Sequence, residues 1–108
     1  MGVLCGVDII YIPGIKHILK DEKRLEKFFD STELTDTTTE HLAGIIAAKE
    51  AFFKALGEIP HFRNIQIAYQ NSNKPYIVAT SRLQTYRSID ISISHDKDYA
   101  IAVVVLEK

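Results

Sequence analysis

The chain has 108 residues, of which 46% are hydrophobic and 25% charged, and a formal net charge of −1. That length bounds it to a single domain, residues 1–108, and the ordinary composition excludes disorder and low complexity. The near-neutral balance leaves no global field for nucleic acid or an anionic membrane, so an acidic partner would have to be met by a local patch.

The one cysteine, Cys5, lies in an apolar run and cannot pair within the chain; it reads as an inert core thiol in a reducing compartment. The longest apolar run, residues 99–106, is far short of the roughly 20 residues that cross a bilayer. The expectation is a soluble, cytoplasmic protein. A core this small, with strands this apolar, also favours a partner subunit.

In chain order, residues 3–12 are apolar and β-branched, interrupted by Gly6 and Asp8 and stopped by Pro13-Gly14, which predicts a buried strand ending in a turn. Asp8 is anomalous, because a carboxylate inside a buried strand is costly without a metal or cationic partner. Residues 15–29 carry apolar positions at helical spacing and predict one amphipathic helix. Its outer face holds Lys16, Lys20, Lys23, Arg24 and Lys27 among Asp21, Glu22 and Glu26, either a solvated mixed-charge face or a docking surface for an acidic protein.

Residues 31–39 read as a loop with a helical turn near 32–34. Residues 40–56 are rich in alanine, lack proline and end at Gly57, which predicts the longest helix and its C-cap. A loop over 58–62 precedes two strands, 64–69 and 76–80, joined by an Asn/Ser-rich turn. One or two helical turns over 81–87 follow. Alternation over 89–94 predicts a half-buried strand, 95–98 a tight polar turn, and 99–106 a central strand covered on both faces. The order β-α-α-β-β-(α)-β-β is that of an α+β domain.

Winding helix 40–56 at about 100° per residue places Leu42, Ile45, Ile46, Phe52, Phe53 and Leu56 on one core-facing arc. Ala43, Ala47 and Ala51 form a second, small-residue stripe, with Glu50 and Lys54 one turn apart beside it. An i,i+4 Glu–Lys pair by itself is an ordinary helix contact worth a few tenths of a kcal/mol. The alanines, however, leave room for another segment or a ligand to approach the pair. Lys49 projects into the middle of the apolar arc, where it either snorkels along Phe52 and Phe53 or reaches an anion.

Asp8 and Glu50 are two hard oxygen ligands offered from two rigid elements. Mg²⁺ is typically held by one or two carboxylates together with substrate phosphates and water, and a lysine beside them suits a transferring phosphoryl group. His17, His41, His61 and His95 lack zinc spacing, and no glycine-rich phosphate loop is present.

Four segments together resemble a known family. The run Leu42-Ala43-Gly44-Ile45-Ile46-Ala47-Ala48-Lys49-Glu50-Ala51-Phe52-Phe53-Lys54-Ala55-Leu56-Gly57 is similar to the central motif of the holo-[acyl-carrier-protein] synthases, the short single-domain branch of the 4′-phosphopantetheinyl transferases. Gly6-Val7-Asp8-Ile9 resembles the family's N-terminal motif, Asn73-Lys74-Pro75-Tyr76 its Gly-Lys-Pro turn, and Ser92-Ile93-Ser94-His95 followed by Tyr99-Ala100 its C-terminal hairpin. The four come in the family's order and span nearly the whole chain.

The resemblance implies a small mixed or antiparallel sheet packed against a long central helix. It implies transfer of 4′-phosphopantetheine from coenzyme A to a serine of apo acyl carrier protein, with release of 3′,5′-ADP. Asp8 and Glu50 would bind Mg²⁺, or Mn²⁺ in its place, against the coenzyme A diphosphate; Glu50 would help deprotonate the serine. Lys54 would stabilise phosphate charge, and Lys49, Ser94 and His95 would contact coenzyme A, with turn closure an equal role for His95. It further implies a homotrimer with active sites between subunits. Gly14, Tyr11 and Ile45 stand where the family commonly has Arg, Glu and Arg, and the loops around 36–39 and 58–61 are short, so the mode of carrier docking is left open, as is the pathway served. Two other readings stay in view: a weak or inactive relative that still binds coenzyme A or a carrier, and a structural oligomerisation domain.

Overall fold

The structure, a computed structural model, describes residues 2–78 and 81–108. Strand β1 (Val3–Tyr11) runs directly into helix α1 (Ile12–Leu19), followed by α2 (Glu22–Phe28), a 3₁₀ turn Ser31–Leu34 and the long helix α3 (Thr39–Leu56). A second 3₁₀ turn, Phe62–Asn64, leads to the hairpin β2 (Ile67–Tyr69) and β3 (Pro75–Ile77); a third, Ser81–Thr85, leads to β4 (Ser88–Asp96) and β5 (Tyr99–Glu107). The mixture of helices with antiparallel strands is the expected α+β class.

The three-stranded sheet has the order β1-β5-β4, antiparallel throughout, with Asp8 opposite Ala102 and Ala102 opposite Ile93. Helix α3 lies across one face of it. Two glycines set that approach: a Cβ on Gly6 would stand 1.9 Å from the Ala51 carbonyl oxygen, and one on Gly44 would stand 2.9 Å from both Ile93 Cγ2 and His95 Nε2. The stripe that meets the sheet is therefore Gly44, Ala51 and Ala55, with Ala48 between them at helical spacing. On the other side of α3, the large arc of Leu42, Ile45, Ile46, Phe52 and Phe53 is buried as expected, in a core shared with Leu19, Leu25 and Phe29 from the α1–α2 layer.

Several expectations are corrected. The helix read over 15–29 is two helices. Pro13 lies in the first turn of α1, where its missing N–H costs nothing, and the chain breaks at Lys20 so that Asp21 can cap α2, its carboxylate accepting from Lys23 N at 3.0 Å. The turn read over 95–98 contracts to Lys97 and Asp98, with Lys97 at φ 54°, and His95 belongs to β4. The far end of the strand read over 76–80, residues 79 and 80, lies outside the described residues.

Strand β5 is central but covered on one face only. Its alternate residues Ala100, Ala102, Val104 and Leu106 are buried under α3, while Tyr99, Ile101, Val103 and Val105 are exposed. Val3, Val7, Ile9 and Tyr11 of β1 continue that open apolar face, the eight side chains being between 36% (Val103) and 66% (Val3) exposed. Cys5, an odd-numbered residue of β1, shares the face and is exposed instead of buried.

Candidate active site

Side chains of β1 alternate in direction, so Gly6 and Asp8 both turn toward α3. Because Gly6 lets the strand touch the helix backbone beside Ala51, the next inward residue, Asp8, arrives alongside Glu50 and Lys54. Asp8 is 7% exposed. Its Oδ1 accepts from Lys54 Nζ at 3.1 Å, and the same ammonium lies 3.2 Å from the Val7 carbonyl oxygen. Among the described residues no N–H or hydroxyl donor reaches the buried Asp8 Oδ2, which leaves the carboxyl proton of Glu50 as its hydrogen-bond partner. Lys54 keeps 60% of its side chain in solvent, so the site opens outward beside it.

Burial raises the Glu50 carboxyl to about 7; a hydrogen bond shared with the Asp8 carboxylate, and then its charge, add to the rise against the pull of Lys54. Two carboxyl groups forced together with a single ammonium, so that one keeps a proton for lack of a cation, form an electron-rich site short of positive charge. Among the described residues no three His, Cys, Asp or Glu side chains gather to cage a metal. A divalent hard cation that takes its remaining ligands from substrate and water needs no such cage, and the oxygen donors of Asp8 and Glu50 fit Mg²⁺ on that ground. Such an ion would satisfy Asp8 Oδ2 and relieve the repulsion that holds a proton on Glu50.

The other candidate residues are dispersed. Lys49 is fully buried. Its ammonium donates to Glu33 Oε1 at 2.7 Å and to the carbonyl oxygens of Phe28 and Phe62 at 2.8 Å each, and lies 5.7 Å from the Phe29 ring centroid. Burial pushes its pKa down while Glu33 pulls it back up. With every donor engaged inside the core, Lys49 has none left for coenzyme A, and that expectation is withdrawn. Ser94 lies on the open face of the sheet, opposite to Asp8. His95 packs on Gly44, and its Nε2 is 2.7 Å from the Glu40 carbonyl oxygen, which fixes Nε2 as the protonated nitrogen. Neither side chain joins Asp8 and Glu50 within this chain.

Glu33 is the residue that sequence reasoning missed. It falls in the helical turn expected near 32–34, but it is buried, accepts from Asp30 N at 2.7 Å and Ile67 N at 2.8 Å, and closes a capping box with Asp30. The Asp-x-x-Glu spacing was the available signal. A cavity of about 230 Å³ beside it is lined by Thr32, His41, Ile45, Gln66 and Tyr69 and includes none of Asp8, Glu50 and Lys54.

Comparison with known proteins shows the family. Residues 4–104 match a model of the 4′-phosphopantetheinyl transferase superfamily. The chain belongs to that superfamily. Within it, the chain is 37% identical to the holo-[acyl-carrier-protein] synthase of Nautilia profundicola, over 97% of this chain and 100% of that protein. It is 36% identical to that of Bacillus subtilis over 95% and 93%. Its fold superposes on the Helicobacter pylori holo-[acyl-carrier-protein] synthase, solved in complex with coenzyme A, with a TM-score of 0.88 and 35% identity, covering 96% of this chain and 100% of that one. The family's sheet-and-central-helix architecture is thus the architecture of this chain, and a phosphopantetheinyl transferase of the holo-[acyl-carrier-protein] synthase type is the enzyme class to which it belongs.

Proposed function

We propose that this chain transfers 4′-phosphopantetheine from coenzyme A to a serine hydroxyl of an apo acyl carrier protein and releases 3′,5′-ADP. The observation that carries the reading is the pairing of buried Asp8, whose Oδ2 no N–H or hydroxyl donor reaches, with Glu50 beside Lys54. Mg²⁺, or Mn²⁺ in its place, held by these two carboxylates would neutralise the diphosphate of coenzyme A. Glu50, relieved by the ion of the proton it carries in the metal-free chain, takes the proton of the serine hydroxyl. The serine oxygen forms a new bond to the β-phosphorus while the bond from that phosphorus to the bridging oxygen breaks. The electron pair leaves with 3′,5′-ADP. Lys54, largely in solvent, would swing its ammonium from Asp8 toward the charge growing on the leaving phosphate.

The whole of residues 1–108 acts as one transferase domain in the cytoplasm, and the open apolar face supports a homotrimer. A contiguous apolar surface formed by eight large side chains of two neighbouring strands marks a subunit contact. Ser94 lies on that face and so would meet coenzyme A only across a subunit boundary. The exposed Lys16, Lys20, Lys23, Arg24 and Lys27 of the α1–α2 layer offer the acidic carrier a basic approach, replacing the arginine that the family commonly has at Gly14.

The test is to incubate the chain with coenzyme A, Mg²⁺ and a panel of apo carrier proteins and to weigh the intact carriers. Gain of one phosphopantetheine supports the reading. No gain on any carrier, with coenzyme A still bound, supports instead a relative that binds the coenzyme without transferring it. Ile45, fully buried where the family commonly carries Arg, gives that second outcome its structural basis.

A further inference from the structure

We infer that Lys49 and Glu33 form a buried latch that sets the rotation of α3 and thereby the position of Glu50. The inference rests on Glu50 serving the reaction as proposed above. Lys49 has three N–H donors and meets three acceptors, Glu33 Oε1, Phe28 O and Phe62 O, all within 2.8 Å. Glu33 in turn holds the backbone N–H groups of Asp30 and Ile67. One ammonium thus binds α3 to the end of α2, to the turn at 31–34 and to the turn at 62–64, and its partner carboxylate extends the connection to β2.

Both side chains of the pair are fully buried. A buried ion pair is no more stabilising than well-packed apolar groups of the same volume, and its best-attested use is to specify one arrangement among several. Here there is an arrangement to specify. Where α3 meets the sheet its stripe is Gly44, Ala48, Ala51 and Ala55, all buried and none larger than a methyl. The Gly6–Ala51 contact fixes how close strand and helix come, but side chains this small interdigitate little, so packing on that side does not by itself fix the rotation of α3. Directional bonds to Lys49, on the opposite side of the helix, remove that freedom. Glu50 follows Lys49 directly, so whatever fixes the one side chain's direction fixes the other's about 100° further round. These are positioning residues, since neither touches the Asp8–Glu50 site.

The test is the double variant Lys49→Met/Glu33→Gln, which removes both charges at nearly constant volume. Circular dichroism and sedimentation check that it folds and assembles like the parent. The expected result is a fall in kcat of about 100-fold, the scale of a misplacement of about an ångström. Mn²⁺ affinity, measured by electron paramagnetic resonance without coenzyme A, should weaken in parallel, and KM for the carrier should not move. A folded double variant with parental kcat and parental Mn²⁺ affinity overturns the latch. Should the double variant not fold, Lys49→Gln/Glu33→Gln, which removes both charges but keeps polar partners for the buried carbonyl and N–H groups, is read by the same two quantities with the same criteria. If the parent chain binds Mn²⁺ but transfers to no carrier, the proposed function fails while the latch is still judged, on Mn²⁺ affinity alone.

Discussion

Gly6 and Ala51 touch backbone to backbone: a Cβ on the glycine would overlap the Ala51 carbonyl oxygen at 1.9 Å. The contact lies two residues before Asp8 and one after Glu50, so the closest approach of strand and helix also sets the spacing of the two carboxylates. Gly6→Ala forces β1 and α3 apart. We expect a loss of about 3 kcal/mol, at the upper end of the range for overpacked cores, measured by urea unfolding, and loss of Mg²⁺-dependent stabilisation in whatever remains folded.

Glu50→Gln removes the base and one of two cation ligands from a half-buried position outside the apolar core. Transfer should fall by about 10³-fold, within the range for a lost general base, while urea unfolding without metal shows stability no lower than the parent's. An unchanged rate would remove Glu50 from the chemistry.

The Glu50 carboxyl is pushed up to about 7 from its ordinary 4.5, with burial the first cause and Asp8 the next. Between those pH values the folded chain holds a proton that the unfolded chain has lost. Metal-free stability therefore falls as pH rises from 4.5 toward 7 through this group. Mg²⁺ competes with the same proton, so its increment to the melting temperature should be small at about pH 5 and large at about pH 8. Thermal melts across pH with and without Mg²⁺ check this, and Glu50→Gln should flatten both trends.

Ile9 and Ile101 face each other across β1 and β5 on the open side of the sheet. Ile101→Lys should leave each subunit folded, because the side chain is not in the core, but should shift the sedimentation coefficient from that of a trimer to that of a monomer and lower transfer. A parental sedimentation coefficient in the variant would show that subunits do not meet there.

Charge reversal at Lys16 and Lys20, both exposed on or just after α1, should raise KM for the carrier while leaving kcat and the KM for coenzyme A near parental values. Steady-state kinetics separates the three. A constant carrier KM would take α1 out of the docking surface.

Much of the site was legible before any coordinates because its residues break the patterns around them. Asp8 is a charge in an apolar strand and Lys49 a charge in an apolar arc, and both anomalies are real. They differ in what resolves them. Asp8 meets Glu50 and Lys54, residues already conspicuous on the helix. Lys49 meets Glu33, separated by sixteen residues in sequence and hidden in a polar stretch whose only mark was its Asp-x-x-Glu capping spacing. The continuous apolar run of β5 reads as a strand covered on both faces, yet this chain covers only one, because apolarity in a sequence does not say which chain does the covering. The break between α1 and α2 was missed because apolar spacing continues through it, and only Asp21, a capping residue amid other charges, marks the place.

The most direct test of the account is crystallographic: crystals of the chain grown with Mn²⁺ and coenzyme A, with the anomalous signal of manganese located. The account predicts one peak bonded to carboxylate oxygens of both Asp8 and Glu50 and to the diphosphate. A manganese site that leaves either carboxylate uncoordinated, with coenzyme A bound elsewhere, would contradict it.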